Sequence, residues 1–262
     1  MQRIAERFTI LATNVVTDGA EGDTPMSHLY EKGVTTMSIQ HEKELTHLQK
    51  LILQEGALVE EAIEKAIRSF LERRPELAEE VIAGDAQIDE AEVLVEEECL
   101  KILALLHPIA VDMRFVVAIL KMNNDMERMG DLAANLARRT RYLSKKDPVE
   151  IPSEIADMAS VVQQMVRGAL DSLINRDEKL ARQVCRQDDE VDAYKSQIKG
   201  QIKDRMAEEP EMLRSYLKLL DVPRHLERIA DLATNIAEDV IYMVSGEIAR
   251  HGGHQDADGP AV

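Results

Sequence analysis

Two long stretches of this 262-residue chain are copies of one another. At an offset of 103, Leu77, Ala78, Val81, Asp85 and Asp89 recur as Leu180, Ala181, Val184, Asp188 and Asp192, with Ile88 matched by Val191. At an offset of 100, Arg114, Leu120, Glu127, Arg128, Asp131, Leu132, Ala133, Asn135, Ala137 and Tyr142 recur as Arg214, Leu220, Glu227, Arg228, Asp231, Leu232, Ala233, Asn235, Ala237 and Tyr242. The difference, 103 − 100 = 3, places a three-residue deletion between the middle and last helices of the second copy. A duplication constrains the fold more than any single motif, because both copies must build the same unit and stack with pseudo-symmetry.

What the unit is follows from periodicity. In residues 41–73, Leu48, Leu51, Ile52, Val59, Ile63, Ile67 and Phe70 recur every three or four positions, which draws one apolar stripe down a helix. Pro75 suits the first turn of the next helix, 76–106, which ends at His107-Pro108; a third, 109–146, ends at Asp147-Pro148. The second series starts at Pro152-Ser153, breaks at Asn175-Arg176-Asp177 and near Pro210, and runs to about Ser245-Gly246. Pro223 has no counterpart at Asn123 and should kink the last helix. Aromatic residues make up 3 % and Trp is absent, so strand-forming material is scarce. The expected fold is all-α: a tandem, pseudo-symmetric pair of three-helix bundles, 41–147 and 148–246. A poorly ordered extension over 1–40 and a flexible tail over 247–262 flank them, and Met26 or Met37 could serve as the physiological start in place of Met1.

With 32 Lys and Arg against 49 Asp and Glu the net charge is −17, which argues against a nucleic-acid partner and for cations or basic surfaces. No apolar run approaches the ~20 residues of a membrane span, and no secretory leader is evident, so a cytoplasmic protein is expected. Cys99 and Cys185 lie far apart without a CxxC spacing and read as reduced thiols.

The last helix of each copy carries Glu-Arg-x-x-Asp-Leu-Ala-x-Asn. Residues four apart step only about 40° around a helix, so Glu127, Asp131 and Asn135 rise along one face, as do Glu227, Asp231, Asn235 and Asp239. The apolar face, Phe115, Ile119, Met122, Met126, Met129 and Leu136, lies away from it. The middle helix adds Asp85 and Asp89 in the first copy, Asp188 and Asp192 in the second. Facing stripes would make two clusters of hard oxygen donors, suited to Mg²⁺, Mn²⁺, Ca²⁺ or carboxylate-bridged iron. Gly130, Ala133, Ala134 and Ala137, echoed by Ala230, Ala233 and Ala237, let a partner helix approach closely. The alternative is a solvated acidic face with surface ion pairs to Arg128 and Arg228; retention of the acids in two helices of two copies favours a shared task.

Other candidates carry less. Glu44-x-x-His47 has a di-iron spacing but lacks a second copy, and reads as a surface pair; His107 and His225 read as turn and helix-surface residues. Neither a phosphate-binding Gly-rich loop nor a nucleophile elbow or triad signature is present, so an enzyme is not expected; a carboxylate-bridged metalloenzyme and a metal-free helical adaptor remain as alternatives.

Beyond these readings, the residues resemble a known family. The duplicated unit, Leu226-Glu227-Arg228-Ile229-Ala230-Asp231 with Asn235-Ile236-Ala237-Glu238, the turn His107-Pro108-Ile109-Ala110-Val111-Asp112-Met113-Arg114 and the ending Val244-Ser245-Gly246-Glu247 are similar to the PhoU family, phosphate-specific transport system accessory proteins, over roughly residues 42–250. The resemblance implies a cytoplasmic negative regulator of phosphate uptake and of the phosphate-starvation response. It would act between the ATPase subunit of the phosphate ABC transporter and a phosphate-sensing histidine kinase, with metal bound at the acidic signatures; separately, an acidic chain with long helices could readily dimerise, so a homodimer is expected. Carried over, one metal cluster uses Asp85, Asp89, Glu127 and Asp131 with Asn135 nearby, the other Asp188, Asp192, Glu227 and Asp231 with Asn235 nearby. His107, Met113 and Ala230 depart from the family's usual Gln, Leu and Gly at those places.

Overall fold

The computed structural model describes the backbone of residues 27–108 and 110–247, and side chains over 41–108 and 111–247. Seven α-helices follow in order among them: α1 Ser27–Leu71, α2 Pro75–Leu105, α3 Ala110–Leu143, α4 Glu154–Asn175, α5 Glu178–Glu208, α6 Leu213–Leu219 and α7 Asp221–Ser245, with a 3-10 turn Pro210–Met212 before α6. No strand occurs among the described residues. The chain divides into a unit of residues 1–47 and a larger one of residues 48–262, to which all packing below belongs. α1 begins at Ser27, earlier than the expected 41; adding residues to an existing helix is far easier than nucleating one, so weak periodicity did not stop it. The rest of the N-terminal extension, residues 1–26, and the tail from 248 lie outside the described residues.

The helix ends show why the chain breaks where it does. Pro75 occupies the first turn of α2, where its missing N–H would have been unpaired anyway. Arg73 (φ 51°) and Arg176 (φ 50°) close α1 and α4 in the left-handed region, and they are 103 positions apart. At the same offset, the buried hydroxyls of Ser69 and Ser172 donate to Ala66 O and Ala169 O, each at 2.7 Å. The duplication therefore extends through the first helix of each copy. Asp177 caps α5, accepting from the N–H groups of Lys179 (2.9 Å) and Leu180 (3.1 Å). Gly246 (φ 77°) ends α7 with its N–H on Tyr242 O at 2.9 Å. Pro223 acts more strongly than a kink: the helix is interrupted at Leu220, because proline offers no N–H to Leu219 O and its ring crowds that carbonyl.

Within the larger unit α2 packs on α3, α5 on both α4 and α7, and α4 on α7, while α3 and α7 pack on each other across the centre. The α3 face of Phe115, Ile119, Met122, Met126, Met129 and Leu136 is buried, as periodicity required. α3 and α7 run antiparallel: Lys121 pairs with the buried Asp239 at 3.3 Å, and Arg139 with Asp221 at 3.0 Å. At the offset of 100, Lys121 corresponds to Asp221 and Arg139 to Asp239, so the two pairs are pseudo-symmetry mates with the charges exchanged.

One small residue on each of these helices lets α2 and α5 come close. A Cβ at Gly130 would lie 2.9 Å from Ile88 Cδ1. In the second copy the partners are Ala230 and Val191, both buried, and valine has no Cδ1. The extra methyl at 230 is thus matched by the carbon lost at 191.

Candidate functional site

The packing of α2 on α3 and of α5 on α7 brings the acids of each stripe near enough for their charges to act on one another. In the first, burial and then the Asp131 charge push Asp85 up from the ordinary carboxylate range, while Arg138 at 3.5 Å pulls the other way. Glu127 is raised by burial and by Asp131, Asp89 and Glu92 in turn. Arg138 also donates to Asn135 Oδ1 at 3.0 Å, so Asn135 is tied to the rim of the cluster. In the second, burial and then Asp192 raise Asp188, to which Thr234 Oγ1 donates at 3.5 Å. Burial, Glu227 and Asp188 push Asp231 up to about 6. Carboxyls that raise one another's affinity for protons are also placed to share a cation.

Asp131 and Asp231 do more than serve their own clusters. They meet across the pseudo-dyad at the α3–α7 crossing, where Arg128, Asp131, Leu132 and Asn135 and their mates Arg228, Asp231, Leu232 and Asn235 line an open groove of about 550 Å³. Asp239, expected in line with Glu227, Asp231 and Asn235, is buried against α3 and paired with Lys121. Three four-residue steps of about 40° carry it about 120° around the helix, off the cluster and into the interface.

Three side chains escaped the reading from sequence and a fourth was misread. Lys195 sits inside the second cluster, its Nζ 2.7 Å from Glu227 and 3.4 Å from Asp192. At the offset of 103 its counterpart is Glu92, which adds a half-buried acid to the first cluster; burial and the neighbouring Glu96 and Asp89 raise it. Glu55, on α1, is fully buried, and burial followed by the charges of Glu92 and Glu127 pushes it up to about 9. The signal for Glu55 was present: it interrupts the apolar stripe Leu48, Ile52, Val59, Ile63 at a core position. His225, read as a surface residue, is buried on α7 beside Arg139 and Asp221.

The donor set can be tested against a metal. The first cluster offers oxygen donors, and Asp85 and Glu127 in it are raised by burial and then by neighbouring acids, which fits a hard divalent ion. In the second, the Lys195 ammonium already neutralises Glu227 and Asp192, and a metal would have to displace it. As the side chains are arranged, no three acidic, histidine or cysteine side chains among the described residues gather around one point closely enough to hold an ion. Cys99 and Cys185 are free thiols raised by burial to about 12 and about 11, far from thiolate chemistry at neutral pH.

The family model described as "PhoU domain" matches residues 52–140 and 155–240, one match on each copy. The phosphate-specific transport system accessory protein PhoU homolog of Aquifex aeolicus is 39 % identical over 209 residues, covering 80 % of this chain and 95 % of that protein. The homolog of Pseudomonas aeruginosa is 37 % identical over 221 residues, 83 % of this chain and 90 % of that one. Among solved structures, PhoU from Pseudomonas aeruginosa superposes with a TM-score of 0.77 at 35 % identity, covering 79 % of this chain and 99 % of the other. The phosphate transport system regulatory protein PhoU from Streptococcus pneumoniae gives 0.73 at 28 %, over 79 % and 98 %.

Proposed function

This chain belongs to the PhoU family, and from that premise we propose that it is a non-enzymatic regulator of phosphate uptake: an adaptor that restrains the phosphate-specific transporter when phosphate is plentiful. The observation that carries the reading is the match of both copies to the family; the mutual influence of acids within each copy's set supports it. Its partners on this reading are the transporter's ATPase subunit and a phosphate-sensing histidine kinase, with a second copy of the chain completing a homodimer in the cytoplasm. No helix among the described residues is long and apolar enough to cross a membrane.

The mechanism rests on the carboxylates. Asp85, Asp89, Glu127 and Asp131 would hold Mg²⁺, Mn²⁺ or iron in the first bundle, and Asp188, Asp192, Glu227 and Asp231 in the second. A bound ion supplies the positive charge that offsets their repulsion. Asp131 and Asp231 also line the groove at the α3–α7 crossing, so repulsion relieved in a cluster changes the side chains offered at that groove. Asn135 and Arg138 hold Asp85 in register with α3, and Lys195 performs a similar service for Glu227. Two arrangements of the groove, one favoured by each charge state, give a partner something to select; differential affinity for the two is what makes such a switch work.

The test is genetic and chemical together. Deleting the gene in its host is expected to leave phosphate uptake unrestrained in phosphate-rich medium, and the intact gene to restore restraint. An Asp131→Ala, Asp231→Ala double variant is expected to stay helical, lose metal by elemental analysis and fail to restore. Unchanged uptake on deletion refutes the regulator; a double variant that restores restraint refutes the carboxylate mechanism alone.

A further inference from the structure

The outer side of α2 is apolar where a solvated helix should be polar. Val93, Glu97, Leu100 and Ala104 follow one another at spacings of four, three and four, so they share one face, and Leu94, Lys101 and Leu105 run beside them. The buried Val95, Cys99 and Ile102 occupy the opposite face. Val93 is 48 % exposed, Leu94 53 %, Leu100 52 % and Leu105 68 %, so large aliphatic side chains stand in solvent along about 18 Å of helix. Single exposed leucines are common on protein surfaces, whereas a row of them marks a surface that is covered in use.

The second copy carries the solvated version of the same helix. At the offset of 103, Val93, Leu94, Leu100 and Leu105 correspond to Ser196, Gln197, Lys203 and Glu208, all exposed. On the inner face the buried Val95 and Cys99 correspond to the buried Ile198 and Ile202. The copies therefore agree on the side that packs and differ on the side that does not. α5 folds without an apolar outer face, so the one on α2 answers to something other than folding.

Charge says what that is. Glu97 stands between Val93 and Leu100, and Glu90 and Glu96 border the strip; all three are exposed, and none has an ion-pair partner among the described residues. Their counterparts Ala193, Lys199 and Gly200 carry no acid. A second copy of the chain fits this face poorly, because an isologous contact along α2 presses these glutamates toward their own copies, and the neighbouring Lys101 is already held by Glu98 at 3.1 Å. A helix with an apolar stripe and basic margins fits: its apolar side chains cover Val93, Leu94, Leu100 and Leu105, and its Lys or Arg stems lie along the strip with their charged heads on the glutamates. We infer that the outer face of α2 from Glu90 to Leu105 is a docking strip for a basic amphipathic helix of a partner protein, with no equivalent on α5. It gives a seat to a partner of the adaptor described above and rests on that reading for the partner's existence, although none of its residues lines the α3–α7 groove.

Fluorescence anisotropy of a labelled synthetic peptide of about 16 residues, with Leu at helical spacing and Lys along both margins, tests this against the full chain. A second peptide carries Glu in place of every Lys. The proteins compared are the native chain, a Leu94→Gln, Leu100→Lys variant that installs the second copy's residues, a Glu96→Gln, Glu97→Gln variant, and an Asp131→Asn, Asp231→Asn variant as the groove control. Every substituted position is exposed, so each variant is expected to keep its helicity by circular dichroism. The native chain and the groove control are expected to bind the Lys peptide and not the Glu peptide, and both strip variants to bind it at least about tenfold more weakly. Native-like binding by either strip variant, binding of the Glu peptide, or no binding by the native chain overturns the strip. Sedimentation over a concentration series covers the other occupant: self-association that Leu94→Gln, Leu100→Lys abolishes would assign the face to a second copy and overturn the basic helix. These readouts use purified protein, so they are decided separately from the gene-deletion test of the regulator.

Discussion

The two bundles hold the same four acids in the same register and settle their repulsion differently. The second places Lys195 among them, 2.7 Å from Glu227, and is neutralised in part by its own chain. The first puts Glu92 at that position, answers only Asp85, with Arg138 at 3.5 Å, and buries Glu55, whose carboxyl is pushed up to about 9. Duplication preserved the scaffold, and single substitutions such as Glu92 against Lys195 were enough to give the two copies different electrostatics.

That contrast between halves can be pressed hardest at the exchanged ion pairs. Lys121→Ala would take the ammonium from the buried Asp239 carboxylate and remove the Lys121 contact over the Tyr242 ring, centred 5.2 Å away, so a loss of about 2 kcal/mol is expected in urea unfolding. Its mate, Arg139→Ala, leaves Asp221 with Arg224 at 3.5 Å and Lys218 at 4.0 Å and should cost only about 1 kcal/mol. Equal losses would mean the pseudo-dyad equalises the pairs despite their unequal burial.

Acid should act on the second half first. Burial, with Arg139 close by, lowers the His225 imidazole from 6.5 to about 4, so the fold holds it neutral. Its stabilising contribution is complete above about 6.5 and is lost as the pH falls toward about 4, a difference of about 2 kcal/mol across that window after allowance for local relaxation. Asp231, raised to about 6, works in the opposite sense: its contribution is complete below about 3.8 and is lost as the pH rises through 6. Subtracting the pH profile of a His225→Gln variant from the native one isolates the histidine, and a flat difference between pH 4 and 6.5 would contradict it. Asp125 holds that position in the first copy, so no counterpart effect is expected there.

The smallest effect lies at the paired small residues. Gly130→Ala drives a methyl to within 2.9 Å of Ile88 Cδ1, an overpacking of about 2 kcal/mol partly offset by about 1 kcal/mol of helix propensity. A net loss of about 1 kcal/mol, recovered by adding Ile88→Val, would show the first copy converted to the second copy's solution. No recovery in the double variant would mean the two interfaces fit by different geometry.

Much of the fold was legible beforehand because helices are specified locally. Pro75, Asn175-Arg176-Asp177 and Gly246 mark ends that depend only on φ, on a missing N–H or on a capping carboxylate. The paired acids were legible for the same reason, since four-residue spacing fixes a helix face without knowledge of the neighbours. Asp239 was misplaced because a stripe followed for three further turns winds off its face, and only the neighbouring α3 shows where it arrives. Glu55 and His225 stayed hidden for another reason: polar residues at core positions are decided by what packs over them, which lies far away along the chain.

The sequence by itself determined that this is a doubled helical unit, where its helices break and which acids share a face, because periodicity, caps and an internal repeat are properties of nearby residues. Only the tertiary structure decided that Lys195 answers one cluster and that Glu55 burdens the other, that Lys121 and Arg139 exchange roles across a pseudo-dyad, and that Asp131 and Asp231 meet at one groove. Those outcomes depend on burial and on the distance between charges from different helices, and neither exists until the helices have packed.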